Sequence, residues 1–187
     1  MKMPDYIDFH NRNLVIKKFI LLVINVLTLF PNRLFCFIWN TLLIVINNSV
    51  RVGLSNDGNL IVKDNSQIIE IAHKKRFEFY LQNINTRLNH ISYEYMLDSI
   101  KISFGDIVID CGANIGELYL AIKQNHQDNF NYYGFEPAPR EFKLLNRNTK
   151  NLVSEPLALS KNNETRKFYI RTKSADSSFE KGTKQQE

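Results

Sequence analysis

The chain has 187 residues, 24 Lys plus Arg against 19 Asp plus Glu, and 44% hydrophobic residues. That balance excludes a disordered or collagen-like chain and favours a single folded domain. Two cysteines, Cys36 and Cys111, are too few for a disulfide scaffold and point to a reducing, cytoplasmic setting. The net charge of +5 arises entirely after residue 136: residues 1–136 hold 13 basic and 13 acidic side chains, residues 137–187 hold 11 and 6. A modest excess without an aromatic-studded groove is the pattern of a solvated surface, so no nucleic-acid partner is expected.

Residues 1–50 form an apolar N-terminal helical segment. Between Leu14 and Ile46 only Lys17, Lys18 and Arg33 are charged, leaving two uncharged runs, Phe19 to Asn32 and Leu34 to Val50. A spanning helix needs about 20 mainly apolar residues, so both runs fall short. Pro31-Asn32 is turn chemistry between two helices folded back on each other. No small-residue cleavage site follows a single apolar core, so a cleaved signal peptide is not expected. Three readings stay open: a hairpin in peripheral contact with a membrane through residues 14–46, a marginal span, or two helices packed on the domain.

Residues 51–104 read as a preamble of short strands and a helix. Gly53 to Asn59 is a loop by composition, with Asn56-Asp57-Gly58 as its turn. Leu60-Ile61-Val62 and Ile68-Ile69-Glu70-Ile71 read as strands of a hairpin turning at Asp64-Asn65. Arg76 to Tyr80 is β-prone and would add a third strand. After Asn89, the spacing of Tyr93, Met96, Leu97 and Ile100 predicts an amphipathic helix. His73 and His90 lack ligand-spaced partners and read as structural, and no metal site is expected.

Residues 105–187 carry the chemistry. Ile107-Val108-Ile109 is a continuous apolar run, as in a parallel strand buried on both faces, and Asp110 closes it. Gly112 and Gly116 bracket a tight turn, and Leu118, Ala121 and Ile122 give the following helical stripe. Such a strand–loop–helix unit binds ligands at its loop, where glycine lets a ligand approach the backbone. Tyr132 to Phe135 reads as the next strand, ending at Glu136, and Pro139 is placed to open a helix with Phe142 and Leu145 inward. Cys111 reads as a small filler. The interval from Gly112 to Glu136 is close to the spacing at which an acidic residue meets a ribose. Each charge-assisted bond there would contribute roughly 1.5–3 kcal/mol. Ala113 stands where a dinucleotide loop needs its second glycine, and no triphosphate loop is present. An acidic residue opening the loop suits the cationic, phosphate-free S-adenosyl-L-methionine. The bland alternative is that the two glycines only allow a sharp turn.

Asp110-Cys111-Gly112-Ala113-Asn114-Ile115-Gly116, followed by Phe135-Glu136-Pro137, resembles the FkbM-type methyltransferase family. Arg76 to Tyr80, Arg87-Leu88 and Tyr93 to Ile100 look like the family's approach to this motif. Leu157-Ala158-Leu159-Ser160 and Ser177-Ser178-Phe179 are similar to later elements, so the likeness covers roughly residues 76–180. It implies an α/β fold: the Rossmann-like parallel sheet of class I methyltransferases. Asp110, Gly112, Ala113, Asn114 and Gly116 would line the methionine end of S-adenosyl-L-methionine, with Glu136 on the ribose. The implied reaction is O-methylation of a small-molecule or glycan acceptor, often a sugar hydroxyl, and no general base is named.

The stretch from Gly105 to Glu187 is short for a complete sheet of that class. Strands are expected at 107–109, 132–135 and 152–158, with an extended piece at Arg166 to Ile170. The family's later Lys-Ile-Asp-x-Glu-Gly element is absent. The expectation is therefore an incomplete sheet of a C-terminally truncated chain with an unpaired edge and an uncovered face. A catalytically incompetent, membrane-associated remnant is the alternative, and a nicotinamide-binding oxidoreductase a distant one.

Overall fold

The computed structural model describes residues 22–65, 67–126, 130–150, 152–162, 164 and 167–169. Residues 14–21 of the apolar segment, Ser177-Ser178-Phe179 and parts of Arg166 to Ile170 lie outside the described residues. Residues 22–27 are helical, the helix is interrupted at residues 28–31, and α1 runs from Asn32 to Val45. Pro31 has no N–H to donate, and its carbonyl accepts the first bond of α1 from the Phe35 amide at 2.9 Å. Phe35, Cys36, Trp39 and Leu43 turn inward from α1 and are buried. The Asn40 side chain brackets Val52, donating to its carbonyl at 2.8 Å and accepting from its amide at 2.9 Å. The inner face of α1 is therefore packed on the domain. Among the described residues no helix is long and apolar enough to cross a membrane.

The inner face of α1 rests on a three-stranded antiparallel meander: β1 (Arg51–Leu54), β2 (Leu60–Lys63) and β3 (Ile68–Ile71). Val52, Val62 and Ile69 are register partners and form one buried row. Two expectations change here. Gly53 lies within β1, so the loop is shorter than composition implied, and Gly58 (φ +76°) provides its left-handed turn residue. Arg76 to Tyr80 is part of a 3-10 helix, Lys74–Tyr80, not a strand. Phe77 and Tyr80 are both fully buried, and a spacing of three puts them on one edge of a 3-10 helix, whereas a strand would oppose them.

Helix α2 (Ile84–Glu94) starts earlier than the spacing implied, capped by Asn83, whose side chain accepts the Thr86 amide at 2.7 Å. Its inner face is Ile84, Leu88 and Ile91. The chain leaves the helix at Tyr95–Met96, with Met96 at φ +51°. Tyr93, Met96 and Ile100 are therefore exposed and only Leu97 is buried. The helical spacing of those four residues ran across a helix end.

The second sheet is parallel: β4 (Ile107–Cys111), β5 (Asn131–Phe135) and β6 (Val153–Glu155), in the order β4-β5-β6. Helix α3 (Glu117–His126) joins β4 to β5, and α4 (Pro139–Asn148) joins β5 towards β6. The architecture is mixed α/β, consistent with part of a Rossmann-like fold. Successive right-handed crossovers stepping the same way along a sheet lay their helices on one face. The opposite face, with Ile107, Ile109, Tyr133 and Val153, is exposed. The expectation of a β4 strand buried on both faces is thus corrected: only one face is covered among the described residues. The two sheets are tied together by Asn148, whose amide group bridges Glu70 on β3 and the Ile115 carbonyl of the β4–α3 loop.

Candidate functional site

The sequence places Asp110 and Glu136 at the ends of adjacent parallel strands, and the register confirms that neighbourhood. Asp110 pairs with Gly134 and Cys111 with Phe135, so Glu136 emerges one residue beyond the end of the β4 ladder. The glycine loop folds back onto this point. The amides of Gly112 and Ala113 both donate to the Phe135 carbonyl, at 2.8 and 3.0 Å, and the Asn114 amide donates to Glu136 Oε2 at 2.8 Å. Glu136 Oε1 accepts from the Ala138 amide at 2.8 Å, which holds the entry to α4. Asn114 takes the left-handed conformation (φ +49°), and its own side-chain oxygen accepts the Ile115 amide. Asparagine tolerates that region better than most residues. All six residues named from the sequence, Asp110, Gly112, Ala113, Asn114, Gly116 and Glu136, therefore gather at one strand-end loop.

The two glycines do different work. A Cβ on Gly112 (φ +95°) would meet nothing within 4 Å, so its outer side is open to a ligand. A Cβ on Gly116 (φ +89°) would come within 2.3 Å of Thr149 Cγ2 and 3.1 Å of Leu145 Cδ1. Close packing of the loop on the end of α4 therefore requires glycine at 116. Cys111 is exposed, not the filler its neighbours implied.

The electrostatics of the site are negative. Asp110 is buried and accepts a short hydrogen bond from the Tyr132 hydroxyl. Burial raises its carboxyl above the ordinary value, and the Tyr132 bond offsets this in part. Burial likewise raises Glu136; the Ala138 and Asn114 amides oppose the rise, and the nearby carboxyls of Glu141 and Asp110 add to it. Three consecutive loop amides that would cradle a phosphate are already engaged by Phe135 and Glu136. A site with two carboxyls and no free amide nest favours a cationic or hydroxyl-bearing ligand over a pyrophosphate.

The sequence reading missed the group that anchors this loop. Glu117, the first residue of α3, is buried beneath Arg76, Arg87 and Tyr80. Arg76 Nη2 donates to Glu117 Oε2 at 2.5 Å, and the Tyr80 hydroxyl donates to Oε1. Burial alone would raise the Glu117 carboxyl, but Arg76 and Arg87 hold it below its ordinary value. A carboxylate opening a helix usually reads as an exposed companion of the helix dipole. Only the arginines of the preamble, far off in sequence, reveal it as a buried anchor. His73, read as structural, pairs with Glu141 at 2.7 Å in a buried contact, and no group of side chains suited to a metal ion occurs among the described residues.

A cleft of about 750 Å³ lies elsewhere, lined by none of the six site residues. Comparison with known proteins finds no matching family model and no matching curated protein.

Proposed function

We propose that the chain binds S-adenosyl-L-methionine at the β4–α3 loop and acts as an FkbM-like methyltransferase on a hydroxyl of a sugar or glycan. The observation that carries this reading is the pair Asp110 and Glu136 at adjacent strand ends, with the intervening loop amides turned inward. The residues fit the cofactor's chemistry: two carboxyls face a ligand that carries ammonium and sulfonium charges, and Gly112 leaves the backbone open beside them. Glu136 would hold the ribose hydroxyls while keeping its two backbone bonds, because each carboxylate oxygen has a further lone pair. Asp110 would orient the methionine end, its own position held by Tyr132. When bound, the cofactor supplies a methyl group on a positively charged sulfur, which an acceptor oxygen displaces in line. The protein's part is to align acceptor and methyl, an effect worth up to about 7–11 kcal/mol when geometry is ideal.

Isothermal titration of the whole chain with S-adenosyl-L-methionine tests the binding claim. Glu136→Ala is expected to weaken affinity about tenfold or more, the loss of one or two charge-assisted bonds. Unchanged affinity in that variant would sink the ribose assignment, and tight binding of a nicotinamide dinucleotide would favour an oxidoreductase. Transfer of labelled methyl to glycan acceptors tests turnover separately, and its absence with binding intact would favour the incompetent alternative.

A further inference from the structure

We propose that the outer face of the N-terminal helical layer docks in the plane of an anionic lipid surface. Helix α1 is apolar on both sides. Its inner face is the buried set already described, and its outer face presents Leu34, Phe37, Ile44 and Val45, with Phe37 69% and Val45 77% exposed. A helix on the surface of a water-soluble domain ordinarily turns polar residues outward. In the preceding turn Leu29 is 83% exposed. Contiguous apolar exposure of this kind marks an interaction surface.

Charge selects the occupant. From Phe9 to Asn56 the sequence contains no Asp or Glu, but it contains Arg12, Lys17, Lys18, Arg33 and Arg51. Leu29 and Val26 also line the 750 Å³ cleft, whose other walls carry Lys74, Lys75 and Arg140 and no carboxylate. The helical layer thus carries one sign of charge in its sequence, and the walls of the adjoining cleft carry the same sign, the pattern of an in-plane helix on anionic lipid. A second copy is a poorer fit, since a two-fold contact would set Arg33 and its basic neighbours against their own equivalents. Among the described residues no helix is long and apolar enough to cross a membrane, and α1 is fastened to the domain by its inner face. The contact is therefore peripheral.

Flotation of the full chain with vesicles of phosphatidylcholine alone, and of an equal mixture with phosphatidylglycerol, tests this. The wild type is expected to float with the anionic vesicles. Combined Leu29→Ser, Phe37→Ser and Val45→Ser is expected to weaken that binding about tenfold or more. Arg33→Glu with Lys75→Glu is expected to abolish the preference for anionic vesicles, leaving weaker apolar contact. Trp39, the chain's single tryptophan, is buried under the same helix, so unchanged emission reports that each variant is folded. If the triple variant loses that emission, Phe37→Ser alone and the charge pair decide. Three results overturn the proposal: no flotation of the wild type, flotation undiminished by the apolar substitutions, or loss of self-association in those variants without vesicle binding. The last would assign the face to a second copy.

Discussion

The Arg87 guanidinium meets the Glu117 carboxylate across 30 residues of chain, Nε lying 2.9 Å from Oε1 and Nη2 3.1 Å from Oε2. This two-pronged contact, with Arg87 also stacked 4.6 Å from the Phe79 ring centre, pins the first residue of α3 directly after Gly116. The preamble thereby sets the position of the loop that carries the candidate site. Arg87→Ala leaves a buried carboxylate with half its compensation, and a loss of about 3–5 kcal/mol is expected in urea unfolding. Arg87→Lys keeps the charge without the fork, so an intermediate loss is expected. Wild-type stability in Arg87→Ala would show that the anchor does not hold the fold.

Gly116 and Gly112 are expected to separate in their response to alanine. Gly116→Ala drives a methyl into Thr149 and forces a left-handed residue, so a loss of about 3 kcal/mol is expected. Thr149→Ser removes the Cγ2 atom at 2.3 Å and keeps the hydroxyl that donates to the Leu145 carbonyl. It should recover part of that loss, a positive coupling visible in a double-mutant cycle. Gly112→Ala meets no atom and carries only the backbone cost, about 1–2 kcal/mol. Its larger effect should appear in cofactor affinity, because the new methyl stands on the open side of the loop.

Acid should act on this protein with two opposite signs. Glu117 and Glu141 are held below their ordinary value, so the unfolded chain binds more protons than the folded one as pH falls below about 4.5. Their stabilisation is complete above the unfolded value and is lost as pH falls through the folded one. Asp110 and Glu136 are raised, so the folded state holds the extra proton and stability declines as pH rises through that window. Asp110→Asn, which retains an acceptor for Tyr132, is expected to melt at or above the wild-type temperature at neutral pH while losing cofactor affinity. A melting temperature clearly below wild type would contradict the assignment of Asp110 as a tolerated, site-directed charge. Affinity for the cationic cofactor should fall as pH drops through the raised values of Asp110 and Glu136, with proton release on binding in that range.

Phe77 joins the N-terminal layer to the preamble, its ring 5.8 Å from that of Phe35 and 5.3 Å from that of Trp39, both edge-on. Phe77→Ala is expected to lose about 3–5 kcal/mol and to shift Trp39 emission to the red as water reaches the indole. If α1 were a detachable anchor instead of part of the core, the substitution would alter emission with little change in the unfolding midpoint.

Local chemistry in the sequence was enough to place the glycine loop, the acidic strand ends and the break at Pro31. Each depends on short-range rules: a left-handed or closely packed position needs glycine, a proline opens a helix, and a short apolar run makes a strand. Residues 107–111, 131–135 and 153–155 accordingly became strands near the expected places. Arg76 to Tyr80 defied the same rules, because its β-prone composition was overridden by the need to bury Phe77 and Tyr80 together. The stripe through Tyr93 and Ile100 failed for a related reason: periodicity does not show where a helix ends.

Length, composition and charge determined a folded chain that is neutral as far as Glu136 and basic beyond it. On α4 that basic excess is engaged by Asp57 and Glu70 through Lys143 and Arg147. Tertiary structure alone decided that Gly116 is a packing residue and Gly112 an open one, that Glu117 is a buried anchor, and that α1 shows apolar residues on both sides. These are properties of the space around a residue. They depend on Thr149, Arg76, Arg87 and β1, partners that only the folding of distant segments brings into contact.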